Sequence, residues 1–150
     1  RTSGQSFSPK KIPINPMKQA ISAGATFVAR TTSTNPNHVL QMMEAAMDHD
    51  GFSFVECLSE CVEFYEGAFD ASNPRKGGTF NLVPSNHDAT DEVAAYKLAG
   101  EPFPGHFGIF YQIRRPTKNA KEAEIIKTMR EKVPGLKDWQ ILQKSFDRLK

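Results

Sequence analysis

Twice in the first sixty residues an Asn-Pro pair opens a stretch of apolar residues at helical spacing, a glycine closes it, and a run of β-forming residues follows. Asn15 is a good N-cap, Pro16 suits the first helical position, Met17, Ala20 and Ile21 share one face, and Gly24 stops the helix before Ala25 to Arg30, ATFVAR. The same order recurs from Asn35-Pro36, with Val39, Leu40, Met43 and Met47 at helical spacing, the methionines expected in the core, and Asp50-Gly51 as the stop before Phe52 to Cys57. Two helix-then-strand units in succession admit few arrangements, because right-handed crossovers set their strands side by side and parallel. We expect a three-layer α/β domain whose mainly parallel sheet includes 25–30, 52–57 and, later, 107–113, with 52–57 as its central strand.

The run Gly51 to Tyr65, GFSFVECLSECVEFY, carries the chain's two cysteines, Cys57 and Cys61. In parallel α/β sheets ligands gather outside the carboxyl ends of strands, so the turn Leu58-Ser59-Glu60-Cys61 is the first place to look for chemistry. Four residues of strand separate the two Cα atoms by roughly 13 Å, and a disulfide needs about 4.4–6.8 Å. Two readings stay open: reduced, buried thiols that act as small apolar side chains, or a metal or cluster ligand. Two cysteines cannot complete a thiolate site, and there is no CxxC, so the second reading requires ligands from elsewhere.

A chain of 150 residues with 39% apolar content suits one domain. A formal charge of +2 with acids and bases interspersed marks no basic stripe, which argues against nucleic acid or an anionic membrane as partner. The sequence has no signal-like start and no run of about 20 apolar residues. Two unpaired cysteines suit a reducing compartment, and we expect a cytoplasmic protein. Because it opens on Arg1 and a polar turn, we read it as a piece of a longer polypeptide.

Beyond Cys61 the helix–strand rhythm breaks. Residues 59 to 89 contain Gly67, Pro74, Gly77, Gly78 and Pro84, too long a connection to be idle, and we expect a functional or interface loop. His87-Asp88-Ala89-Thr90-Asp91 then precedes a helix over 92–99 with Val93, Ala94 and Leu98 inward. An H-D-x-x-D string has metal-binding residue types, but Asp88 or Thr90 as N-cap, with Asp91 and Glu92 at the positive helix end, explains it without metal. Two helices over 120–132 and 137–149 close the chain, the second with Trp139, Leu142 and Phe146 on one face to cover the sheet or dock on a partner.

Several strings together resemble one family: SAGATFVAR from Ser22 to Arg30, GFSFVECLSECVEF from Gly51 to Phe64, NPRKGG from Asn73 to Gly78, HDATD from His87 to Asp91 and GIFYQIRRPT from Gly108 to Thr117. In this order they are similar to the carboxy-terminal half of the β subunit of 2-oxoacid:ferredoxin oxidoreductases, thiamine-diphosphate-dependent enzymes that decarboxylate 2-oxoacids to acyl-CoA. The resemblance implies a thiamine-diphosphate-binding-like fold, incomplete at its N-terminal side. It also implies three cofactors completed by residues outside this chain: thiamine diphosphate, Mg²⁺ and a [4Fe-4S] cluster. Its implied partners are an α subunit, ferredoxin, the 2-oxoacid and coenzyme A.

Residue by residue, Thr2-Ser3-Gly4-Gln5 matches the family's T-G-G-Q-like turn beside the cofactor, with Ser3 in place of a glycine. Cys61 matches the cysteine of its L-S-P-C turn, a ligand of the proximal cluster, with Glu60 in place of proline; Cys57 matches no ligand. The segment through Gly67 to Asp70 and Asn73 to Gly78 is more similar to 2-oxoglutarate members than to pyruvate members. Arg30 or Arg75 is a candidate to face a distal carboxylate, the alternative being a solvated arginine. Two further readings stand beside this one: a non-catalytic binding or structural module that acts through its loop and last two helices, and a metal-dependent hydrolase built on His87, Asp88 and Asp91.

Overall fold

The computed structural model describes residues 14–63, 65–132 and 134–147. The chain divides into two compact units, Arg1–Arg114 and Arg115–Lys150.

In the first unit, helix α1 (Pro16–Ser22) leads to strand β1 (Phe27–Thr32), α2 (Pro36–Met47) to β2 (Ser53–Leu58), and α3 (Glu92–Leu98) to β3 (Gly108–Gln112). Both Asn-Pro openings act as expected. The Asn15 side chain accepts from Lys18 N–H at 3.0 Å, and the Asn35 side chain accepts from His38 N–H at 3.3 Å. Asn15 also donates through Nδ2 to the Ala99 carbonyl at 2.6 Å, so one side chain satisfies the start of α1 and the end of α3.

The strands form a mixed sheet in the order β2–β1–β3. β1 and β2 are parallel in the register Phe27 with Ser53 through Thr32 with Leu58. Two expectations need correction here. The centre of the sheet is β1, all six of whose residues are buried, while β2 is an edge strand of mostly half-buried residues preceded by an exposed Phe52. The third strand is antiparallel to β1, with an irregularity between Val28 and Ala29. Its direction follows from where the chain enters it: Gly105 lies beside Arg30 near the carboxyl end of β1, and Ile113 N–H bonds Thr26 O at the amino end. Without a crossover back to the amino end, the strand can only run in reverse.

Helices lie on both faces. On one, Met17, Ala20 and Ile21 of α1 and Ala95 and Ala99 of the α3 region bury Val28, Phe110 and Tyr111. On the other, Met42 with half-buried Ala45 and Ala46 covers Phe27, Ala29, Val55 and Ile109. A fully buried Phe27 or Phe110 contributes about 1.5–3 kcal/mol by removal from water. The buried stripe of α2 is His38 and Met42, whereas Leu40, Met43 and Met47 face outward, contrary to expectation. The alanines at 45 and 46 let the helix approach the sheet closely, and that choice rotates the methionine–leucine stripe away. On α3 Ala95 is buried and Leu98 packs half-buried on the same core, as expected, whereas Val93 is exposed.

After β2, residues 59 to 89 form two short 3₁₀ turns, Asp70–Ser72 and Pro74–Lys76. Asn73 caps the second by accepting from Arg75 N–H at 3.1 Å, and Lys76 pairs with Asp70 at 2.8 Å. Gly78 packs its Cα against the backbone of Asp70 and Ala71, where a Cβ would meet the Ala71 carbonyl carbon at 2.5 Å. The segment is pinned again where Val83 N–H bonds Phe107 O and Phe107 N–H bonds Asn81 O.

The second unit is a pair of helices, α4 (Lys118–Lys132) and α5 (Asp138–Asp147). Arg130 grips Asp138 with bonds of 2.7 and 2.8 Å from Nη2. α4 buries no residue and α5 buries Ile141, so Trp139, Leu142 and Phe146, which share a face, stand exposed within this unit.

Candidate functional site

The carboxyl ends of the parallel pair β1 and β2 collect the residues with chemical character. Backbone pairing continues past the strands, with Ser33 N–H bonded to Leu58 O at 2.9 Å, so the turn 59–61 starts from a fixed point. Cys61 lies three residues beyond β2, its carbonyl accepting from Tyr65 N–H at 2.9 Å. Glu60 reaches across the same loop to accept from Gly67 N–H.

Both cysteines are free and both are exposed in this chain. That overturns the reading of two buried thiols. Cys57 is exposed as a residue, yet the atoms packed near its sulfur desolvate it enough to push the thiol's pKa up, which lowers its thiolate fraction. Thr2, Ser3, Gly4 and Gln5 lie outside the described residues.

Arg30 is the residue whose setting the sequence misrepresented. It is not solvated: 8% exposed, it holds Glu56 Oε2 through Nε at 2.5 Å, with its guanidinium 5.6 Å from the Phe110 ring centroid. The signal was present in the two apolar strands, since Ala29-Arg30 and Val55-Glu56 end similar runs with opposite charges, and parallel register puts Arg30 beside Glu56. Arg75, the other candidate for a distal carboxylate, is exposed.

The opposite face of β1 holds a second polar contact that sequence reasoning missed. His38 Nδ1 lies 2.8 Å from Thr31 Oγ1, and the imidazole meets Phe80 edge-on at 5.0 Å, with Phe80 stacked on Phe107 at 4.5 Å. Burial lowers the pKa of His38. The folded protein therefore holds this imidazole neutral, while the unfolded chain protonates it near the ordinary value of about 6.5. Its contribution to stability is full above that pH and is lost as pH falls toward the lower folded pKa. We expect the unfolding midpoint to drop between about pH 7.5 and 5.5, and His38→Gln to flatten that part of the profile; equal slopes for the two proteins, measured by thermal unfolding, would remove His38 as the cause.

The H-D-x-x-D string is occupied by structural bonds. Asp91, not Asp88 or Thr90, caps α3, accepting from Val93 and Ala94 N–H at 2.8 and 3.1 Å. Asp88 accepts from Thr90 Oγ1 and N–H at 2.7 and 2.8 Å, bonds that hold its carboxyl below the usual range. His87 Nε2 lies 2.7 Å from Phe110 O. Among the described residues no group of three or more His, Cys, Asp or Glu is placed to hold a metal ion. Nor, among them, is any helix long and apolar enough to cross a membrane.

No protein-family model matches the chain. Over 75 residues, half its length, it is 41% identical to 2-oxoglutarate oxidoreductase subunit KorB of Mycobacterium tuberculosis, covering 20% of that protein. Over 55 residues, 37% of its length, it is 40% identical to 2-oxoglutarate synthase subunit KorB of Methanocaldococcus jannaschii, again covering 20%. Among solved structures, it is similar to 2-oxoglutarate:ferredoxin oxidoreductase from Magnetococcus marinus with 2-oxoglutarate, coenzyme A and succinyl-CoA bound. There the TM-score is 0.70 at 26% identity over 91% of this chain and 46% of that one. The chain thus matches about a fifth of the length of these curated relatives and under half of the solved chain, and the resemblance to 2-oxoglutarate oxidoreductases holds in both sequence and fold.

Proposed function

We propose that this chain supplies part of the β subunit of a 2-oxoacid:ferredoxin oxidoreductase, which oxidatively decarboxylates a 2-oxoacid, with 2-oxoglutarate favoured, to its acyl-CoA and passes the electrons to ferredoxin. The observation that carries this is the match to a solved 2-oxoglutarate:ferredoxin oxidoreductase across 91% of the chain. The matched curated relatives, named as 2-oxoglutarate subunits, support the substrate. A cytoplasmic setting suits the two free thiols.

The residues present fit the implied cofactors only in part. Cys61, exposed beyond the end of β2, is the proposed donor of one thiolate to a [4Fe-4S] cluster, and the described residues offer no metal-binding group of three or more that would complete it. Thr2, Ser3, Gly4 and Gln5 are the proposed contribution to the thiamine diphosphate and Mg²⁺ site. When bound, thiamine diphosphate supplies the carbon–carbon cleavage and the cluster carries electrons singly. This chain's own task is to position: the β1–β2 pair fixes the turn that bears Cys61, and the buried Arg30–Glu56 contact locks the two strands together beneath it.

The α subunit is the partner this reading requires, and the exposed face of Trp139, Leu142 and Phe146 suits such an association. Assay of the assembled enzyme tests the function. Ferredoxin reduction that depends on both 2-oxoglutarate and coenzyme A, with carbon dioxide released, is the expected result; no reduction with any 2-oxoacid would end the proposal.

A further inference from the structure

Arginine carries five N–H donors. Among the described residues the Arg30 side chain uses one of them, Nε–H to Glu56, and the terminal Nη1 and Nη2 take no partner. The residue as a whole is only 8% exposed, yet neither terminal nitrogen is a fully buried atom left without a partner, so the outer edge of the fork stays open to a ligand. The surroundings hold that edge in place. Glu56 fixes the guanidinium from the Nε side, the Phe110 ring lies beside it, and Gly105, at φ +56°, stands where a Cβ would come within 3.3 Å of Nη1. Glycine at 105 thus accepts the left-handed backbone and also keeps the terminal edge open.

The geometry points to Arg30 as a specificity-determining residue that binds the distal carboxylate of a dicarboxylic 2-oxoacid through Nη1 and Nη2. This rests on the function proposed above and adds the group that selects its substrate. The edge lies near the carboxyl ends of the parallel strands, where ligands collect. A planar carboxylate matches the Nη1–Nη2 fork, and arginine bridges two carboxylates when each takes a different edge. With Glu56 already beside the guanidinium and so little of the residue open, the site suits a compact monoanion. The doubly charged phosphates of coenzyme A would meet the repulsion of Glu56 at close range.

The test compares the assembled wild-type enzyme with Arg30→Lys on 2-oxoglutarate and on pyruvate, which lacks the distal carboxylate. Lysine keeps the charge for Glu56 and loses the fork. Relative to pyruvate, kcat/KM for 2-oxoglutarate is expected to fall about ten- to hundredfold, mostly through KM, the size of losing a charge-assisted bidentate contact. The double variant Arg30→Gln/Glu56→Gln, which buries no lone charge, is expected to lose the same preference. Parallel losses on the two acids, a preference within about twofold of wild type, or a raised KM for coenzyme A alone would each overturn the assignment while leaving the proposed function standing. A wild-type enzyme that oxidises neither acid would instead remove the function and this inference with it.

Discussion

Glu56→Ala is expected to cost about 3–5 kcal/mol of unfolding free energy, because it leaves the Arg30 guanidinium buried without its counter-charge. The Arg30 and Glu56 side chains are 10% and 14% exposed, so solvent screens the pair little. Against a whole-domain stability of about 5–15 kcal/mol, a loss of that size brings the chain near unfolding. The pair also sits on the seam between the central strand and its parallel neighbour, so the damage falls on the sheet itself. Replacing both residues by apolar ones of similar volume, Arg30→Met with Glu56→Leu, is expected to recover most of the loss, since desolvation of two ions offsets much of what their attraction provides. Denaturant unfolding of the single and double variants measures this directly; a single-variant cost below about 1 kcal/mol would mean that the pair behaves as a surface one.

In the assembled enzyme, Cys61→Ser is expected to lower iron content and remove the visible absorbance of the cluster, or to weaken electron delivery to ferredoxin sharply. A serine oxygen is a hard and poor substitute for thiolate on iron. Cys57→Ser is the contrast. Exposed, and with its thiol pKa raised rather than lowered, Cys57 is expected to tolerate the change within about 0.5 kcal/mol and to leave the iron in place. Iron analysis of both variants decides between them. Loss of iron on Cys57→Ser with retention on Cys61→Ser would reverse the ligand assignment, and retention in both would mean that this subunit donates no cluster thiolate.

Much of the fold was legible in the chain because it depends on neighbours in sequence. An asparagine before a proline offers a capping oxygen and a pre-set φ whatever the rest of the protein does, and Asn15 and Asn35 each start a helix where their side chains promise one. The strands around Val28, Val55 and Phe110 follow equally from local β-forming character. So does the place of Cys61 just past a strand's end. What a local pattern cannot carry is which surface an element will meet. Period 3.6 identified an apolar stripe on α2, but small Ala45 and Ala46 decided that His38 and Met42 face the sheet while Leu40, Met43 and Met47 do not. The direction of β3 was set by the path of residues 59 to 107, which return the chain to the carboxyl end of β1 before the strand begins. Arg30 shows the division most sharply. Its residue type told of a cation able to grip a carboxylate, but only the register of two parallel strands 26 residues apart brought Glu56 to it and buried the pair, because register belongs to the assembled sheet rather than to either segment.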